Sequence, residues 1–129
     1  MICPACDRQE LVRETRDLPH TYRGRQTVIK DVTGDFCPAC GEMFLGPEEG
    51  DRVSKVMAAF SRTVNMESGQ FLRRVRKKLR LGQKEAGEIF GGGVNAFSRY
   101  ETGKTPPPVP LVKLLRILDE HPDLLPLAR

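Results

Sequence analysis

The sequence lacks any apolar run long enough to cross a membrane, and it has no segment typical of a signal peptide. We therefore expect a cytoplasmic protein that does not bind a membrane. Only two histidines are present, His20 and His121, and neither has a nucleophile or an acidic partner at a readable spacing. Because no catalytic constellation can be assembled from these residues, we expect a protein that is not an enzyme.

Charge is distributed unevenly along the chain. The 129 residues include 21 Lys and Arg against 17 Asp and Glu, a net charge of +4. Residues 1–66 hold 9 basic and 10 acidic side chains, whereas residues 67–129 hold 12 basic and 7 acidic ones. Only the second half has the electrostatics of a phosphate-binding protein. We predict two domains with these bounds, joined by a linker at residues 65–69, which are polar and end in glycine.

All four cysteines lie in the first half, in two identical CPAC motifs. They are Cys3, Cys6, Cys37 and Cys40. Each C-x-x-C turn places two sulfurs on one side of a knuckle, and four thiolates complete a tetrahedral zinc site. A reducing compartment favours zinc over a disulfide framework or a thiol redox pair. Four thiolates leave no open coordination position, so we expect one structural Zn²⁺ per chain.

The residues between and after the cysteine motifs predict a small sheet and a long helix. Strand-forming residues are frequent in residues 10–36, and we expect three short antiparallel strands there, with turns at residues 23–25 or 33–35. A helix is predicted from Pro47, with acidic residues near its N-terminus. Its apolar stripe consists of Val53, Val56, Met57, Phe60 and Val64.

Residues 82–103 predict two short helices joined by a glycine turn. The first helix covers residues 83–90 and ends at the three consecutive glycines that follow, since glycine adopts positive φ without steric cost. The second runs from about residue 94 to residue 101, and we expect Val94 and Phe97 to point into a core. A proline-rich connector and a leucine-rich amphipathic helix, residues 111–120, follow, and Pro122 ends that helix. A short turn of helix in residues 123–129 completes the chain.

The opposite face of the second short helix carries Asn95, Ser98 and Arg99. Asparagine can hydrogen-bond adenine and arginine can hydrogen-bond guanine in the major groove. Their position near the start of the helix is the one that contacts bases in helix-turn-helix proteins. We expect Asn95 and Arg99 to contact bases. The alternative is an ordinary helix pair with a solvated polar face.

A basic helix is predicted at residues 70–80, with its apolar residues on one side and six cations within residues 73–80. So many cations repel one another unless an anionic partner is near, which favours a phosphate-contacting face over a plain solvated one. The candidate phosphate contacts are Ser98, Lys84, Arg73, Arg76 and Lys77. The fold class is therefore α+β, with a β-rich zinc domain carrying a long helix and an all-α helix-turn-helix domain.

The C-terminal segment resembles the Xre/Cro-type helix-turn-helix family. The similarity lies in the basic first helix, Gln83 at the start of the second, and the S-R-Y-E-x-G motif that ends at Gly103. One departure is Gly82, because that family usually carries Ser or Thr at this N-cap. Glycine caps a helix less well, by a few tenths of a kcal/mol.

The whole chain resembles the MqsA (YgiT-type zinc-finger) antitoxin family. The shared motifs are the two C-x-x-C pairs, YRGR at 22–25, VRKKL at 75–79 and FGGGVNAFSRYE at 90–101. The resemblance implies a bacterial protein whose N-terminal zinc domain neutralises an mRNA-cleaving ribonuclease toxin of the MqsR type. It also implies a C-terminal domain that forms a homodimer and binds a palindromic operator in double-stranded DNA, repressing its operon from the nucleoid. Asn95 and Arg99 match the family's base-reading positions, and the four cysteines match its zinc ligands.

Two further readings remain open from the residues alone. The first is a zinc-ribbon and helix-turn-helix repressor with no toxin partner. The second is an interaction module whose helix pair serves only dimerisation, which the basic helix argues against because a dimer face seldom carries so many cations. An exposed strand edge within residues 10–35 is one candidate surface for a partner, by strand addition.

Overall fold

A computed structural model describes all residues 1–129, which divide into an N-terminal unit, Met1–Phe60, and a C-terminal unit, Ser61–Arg129. The elements are β1 (Val12–Tyr22), β2 (Arg25–Phe36), β3 (Met43–Phe44), α1 (Pro47–Lys78), α2 (Gln83–Phe90), α3 (Ala96–Glu101), α4 (Val109–Glu120) and a final 3₁₀ helix (Pro122–Ala128). The predicted α+β class is confirmed. None of the helices combines the length and the apolar character that a membrane span requires.

Two long strands, β1 and β2, occupy the region where three short ones were predicted. Arg23 and Gly24, with φ of 50° and 82°, form the turn between them, which confirms the first predicted turn. The second predicted turn is wrong, because Gly34 lies inside β2. A Cβ there would lie 2.6 Å from the Leu45 side chain, so this glycine permits close packing against the chain that follows β3.

The sheet has the order β1-β2-β3, so β1 forms one of its edges. The register between β1 and β2 shifts between Arg16 and Leu18. At this irregularity Asp31 has a φ of 55°, and its N–H donates to the Asp17 carboxylate at 2.9 Å. Pro19 also lies in β1, and an edge strand tolerates proline because the missing N–H breaks no ladder bond on the open side.

The N-terminal unit has a small apolar core between the hairpin and α1. The buried members are Ile29, Val32 and Val53, with Leu18, Leu45 and Met57 packed against them. His20 contacts the Phe60 ring edge-on at 5.9 Å. Val56, which was predicted to belong to the apolar stripe of the helix, is 37% exposed. So few buried side chains contribute little to stability on their own.

The single helix α1 replaces the two predicted helices, so the predicted break at residues 65–69 is wrong. That segment contains no proline, and a helix tolerates Gly69 at a cost of about 1 kcal/mol relative to alanine. Gly69 is buried, and a Cβ there would lie 2.3 Å from the Tyr100 carbonyl oxygen. The glycine that looked like a linker residue therefore permits the close approach of α1 and α3.

The C-terminal unit is all-helical, with a larger core formed by α1, α2, α3 and α4. Its buried residues are Leu72, Val75, Leu79, Leu81, Ala86, Ala96, Phe97, Tyr100, Leu111, Leu115 and Leu118. The predicted helix at 83–90 is confirmed. Gly87 in this helix is as constrained as Gly69, since a Cβ would lie 2.0 Å from the Gly93 carbonyl oxygen. Glycine thus sets how closely α2 approaches the turn before α3.

Candidate metal centre and nucleic-acid interface

The four cysteines converge at one end of the N-terminal unit, although Cys3 and Cys40 are 37 residues apart in the sequence. The Cys3 and Cys40 sulfurs are 3.7 Å apart, and the Cys6 and Cys37 sulfurs are 3.6 Å apart. All four Sγ atoms lie within 4.8 Å of one another. The hairpin accounts for this convergence, because one motif precedes β1 and the other follows β2, and the antiparallel strands bring Val12 beside Phe36.

The two CPAC motifs form equivalent turns. The Asp7 N–H donates to the Cys3 carbonyl at 2.9 Å, and the Gly41 N–H donates to the Cys37 carbonyl at 2.9 Å. The two donors have φ of 57° and 78°. Each turn therefore ends on a residue with a left-handed backbone, which directs both of its sulfurs toward the same point.

These sulfurs fit a tetrahedral metal ion. Four thiolates bound at about 2.3 Å lie roughly 3.8 Å from one another, close to the observed separations. A disulfide would require about 2.05 Å, and all four cysteines are free thiols. The pKa of Cys37 is lowered to about 6, chiefly because the Cys40 N–H donates to its sulfur and also because the Ala39 N–H does. Burial and the neighbouring sulfurs raise the pKa of Cys40 to about 12. A thiolate, the form that binds metals, is thus favoured at Cys37 but not at Cys40.

Helix α3 presents its polar side chains to solvent, as predicted. Asn95 at its N-cap and Ser98 and Arg99 in its first turns are exposed, whereas Phe97 is fully buried. The prediction that Val94 points into the core is wrong, because Val94 is 50% exposed. The helix begins at Ala96, so Val94 lies before the first turn, where the helical spacing that placed it beside Phe97 does not apply.

The six cations of residues 73–80 divide into two groups of three. Arg74, Arg76 and Lys78 form ion pairs with carboxylates from other helices, whereas Arg73, Lys77 and Arg80 are exposed and unpaired. Lys84 in α2 is likewise exposed. Arg73, Lys77 and Lys84 therefore have the accessibility that phosphate contacts require, and their contact with DNA stays a prediction.

Arg76 occupies a different environment from the one predicted. Its Nε and Nη2 each donate to the Glu101 carboxylate at 2.9 Å, and its Nη1 donates to the Leu81 carbonyl at 2.8 Å. The Arg76 side chain is 11% exposed and that of Glu101 is 4% exposed. With its donors directed inward, Arg76 joins α1 to α3 and to the turn before α2, and the structure argues against a phosphate contact.

Asp119 in α4 forms ion pairs with both Arg74 and Lys78. Arg74 donates to it from both Nη atoms, at 3.1 and 2.9 Å, and the Lys78 Nζ lies 3.2 Å from its Oδ1. Arg74 and then Lys78 lower the pKa of Asp119 to about 2. Sequence reasoning missed both Asp119 and Glu101, because neither lies within a helical turn of its cationic partner.

Comparisons with known proteins identify close similarity over both units. The family model described as the antitoxin component of bacterial toxin-antitoxin system, MqsA, matches residues 1–129. Antitoxin MqsA of Escherichia coli (strain K12) is 50% identical over 127 residues, which are 97% of this chain and 97% of that protein. The solved N-terminal domain of the E. coli protein MqsA is 40% identical, with a TM-score of 0.48, over 50% of this chain and 97% of that one.

Proposed function

Because this chain belongs to the MqsA antitoxin family, we propose that it neutralises a ribonuclease toxin of the MqsR type and represses its own operon. Residues 1–66 bind the toxin and one structural Zn²⁺, held by the four cysteines. Residues 67–129 form a homodimer that binds a palindromic operator. The family match supports the antitoxin role, and the four-sulfur cluster supports zinc because Zn²⁺ prefers tetrahedral thiolate sites.

Helix α3 is the recognition helix in this proposal. The observation that carries it is the division of α3 into one buried side, Phe97 and Tyr100, and one exposed side, Asn95, Ser98 and Arg99. The buried side fixes the helix on the core, so the exposed side is presented as a rigid surface. Asn95 contacts adenine and Arg99 contacts guanine in the major groove.

Phosphate contacts come from the cations that have no partner in the chain. Arg73 and Lys77 lie four residues apart on α1, and Lys84 lies in the first turn of α2. Ser98 contributes a hydroxyl beside the base-contacting side chains. These contacts fix the position of the protein on the duplex without reading its sequence.

The homodimer is proposed to form through exposed apolar residues of α4. Val109 is 41% exposed, Leu114 is 37% exposed and Ile117 is 51% exposed. Apolar side chains of this size gain by burial against a second copy of the same face. Such a dimer presents two α3 helices, so the operator half-sites lie about one helical turn apart.

Substitution of the base-contacting residues tests the DNA-binding half of this proposal. Asn95→Ala and Arg99→Ala are each expected to cost about 1–3 kcal/mol of operator affinity, because a bidentate base contact is lost. Binding to unrelated duplexes changes less, so specificity relaxes. The measurement is a titration of full-length protein against its own promoter and against an unrelated duplex of equal length.

Lys77→Ala provides the comparison for that experiment. It is expected to weaken binding to every duplex alike. The slope of log affinity against log salt concentration should become shallower by about 1, the share of one phosphate contact. If Arg99→Ala leaves operator affinity unchanged, α3 is not the recognition helix.

Co-purification tests the toxin-binding half. The tagged full-length protein, expressed with the neighbouring gene of its operon, is expected to retain a small ribonuclease as a stoichiometric partner. A variant with all four cysteines replaced by serine serves as the control, and it should lose the partner. Recovery of promoter binding with no partner would instead identify a zinc-containing repressor and reject the antitoxin mechanism proposed here.

A further inference from the structure

Asp119 pairs with two cations on one side of the basic part of α1 and offsets half of their charge. Its carboxylate accepts hydrogen bonds from both Nη atoms of Arg74 and lies 3.2 Å from the Lys78 Nζ, which also donates to the Asp119 carbonyl oxygen. Asp119 is 21% exposed, whereas Arg74 is 58% exposed and Lys78 is 46% exposed. Both cations therefore remain at the surface. Arg74 also lies over the Phe71 ring at 5.4 Å, and Asp119 is the carboxylate that pairs with both cations.

The two unpaired cations of α1, Arg73 and Lys77, lie between paired cations around the helix. Arg73 and Arg74 are adjacent, as are Lys77 and Lys78, so each paired cation lies about 100° around the helix from an unpaired one. Glu101 binds Arg76 on the side of α3, and Asp119 binds Arg74 and Lys78 on the side of α4. The two carboxylates thus leave a narrow unpaired strip between them.

We propose that Asp119 is a specificity-determining residue, which limits binding to unrelated DNA by holding Arg74 and Lys78 away from phosphates. The inference rests on the proposed DNA-binding function. In the operator complex, base contacts from α3 fix the orientation of the protein and therefore which cations meet the backbone. On unrelated DNA nothing fixes that orientation, so any released cation adds to binding. Release of Arg74 and Lys78 favours unrelated DNA more than the operator.

The test compares Asp119→Asn with Glu120→Gln in the full-length protein. Both substitutions remove one negative charge, but Glu120 is exposed and forms no ion pair. Binding is measured at several salt concentrations against a duplex from its own promoter and an unrelated duplex of equal length. For Asp119→Asn, we expect about a 3- to 10-fold gain in affinity for the unrelated duplex and a salt dependence steeper by one or two contacts. The gain for the promoter duplex is smaller.

A triple variant links the effect to the released cations. Adding Arg74→Gln and Lys78→Gln to Asp119→Asn should return the unrelated-duplex affinity to that of the wild type. Thermal unfolding of each variant confirms that the protein is folded during the titrations.

Two outcomes overturn the proposal while the proposed function stands. In the first, Asp119→Asn does not change affinity for the unrelated duplex. In the second, Glu120→Gln raises that affinity equally, which makes net charge the cause. If the proposed function is wrong, the wild type binds the promoter and the unrelated duplex alike. The inference about Asp119 then fails together with the proposed function.

Discussion

Removal of the metal by a chelator, or the substitution Cys37→Ser, is expected to unfold the β1–β2 hairpin and abolish toxin binding. The apolar cluster between the hairpin and α1 has only three buried residues, so the proposed Zn²⁺ would supply a stabilisation on the order of 10 kcal/mol that this cluster cannot replace. The C-terminal unit contains no cysteine and has its own larger core. Promoter binding should therefore persist. Amide NMR spectra, measured before and after chelation, report each unit separately.

Ala39→Ser is the matched control for this prediction. It introduces the same hydroxyl into the same turn at an exposed position that offers no ligand. The variant should retain one zinc per chain and an unchanged hairpin spectrum. Hairpin amide signals that survive complete removal of zinc would show that the metal is not structural.

Arg76→Ala is expected to destabilise the C-terminal unit by about 3–5 kcal/mol. The substitution leaves the Glu101 carboxylate, which is only 4% exposed, without its cationic partner, and an uncompensated buried charge is costly. It also removes the hydrogen bond to the Leu81 carbonyl in the turn between α1 and α2. Urea denaturation of the full-length protein measures the loss.

A paired substitution separates charge burial from packing. Arg76→Met combined with Glu101→Leu replaces both charges by apolar groups of similar volume, and such replacements are often neutral or stabilising. The double variant should therefore recover most of the stability lost in Arg76→Ala. Arg73→Ala, at an exposed and unpaired position, should cost less than about 0.5 kcal/mol. Equal costs for Arg73→Ala and Arg76→Ala would contradict the buried ion pair.

The features that the sequence predicted correctly are those with local physical causes. Each C-x-x-C turn brings its own two sulfurs together within a few residues, as predicted, whereas the β1–β2 hairpin brings the two pairs into one cluster. The end of α2 follows from Gly91, whose φ of 92° requires glycine. The exposed side of α3 follows from helical spacing, because Ser98 and Arg99 lie opposite the buried Phe97 and Ala96.

The features that it missed depend on contacts between distant residues. Arg76 pairs with Glu101, 25 residues away, and Arg74 pairs with Asp119, 45 residues away. A local charge count placed both arginines in one cationic face and made Arg76 a candidate phosphate contact. Gly69 had the local signature of a linker, yet it is required by the Tyr100 backbone that packs on it. The sequence alone does not distinguish a glycine in a turn from a glycine at a close backbone contact.

Pro19 has a consequence for the behaviour of the protein at high concentration. The open edge of β1 extends over 11 residues, and an edge of that length is a template on which strands of other molecules can assemble. Pro19 offers no N–H to such a strand, and the charged side chains of Arg13 and Asp17 are exposed on the same strand. Growth of ordered aggregates from this edge is therefore disfavoured, which protects the solubility of the hairpin.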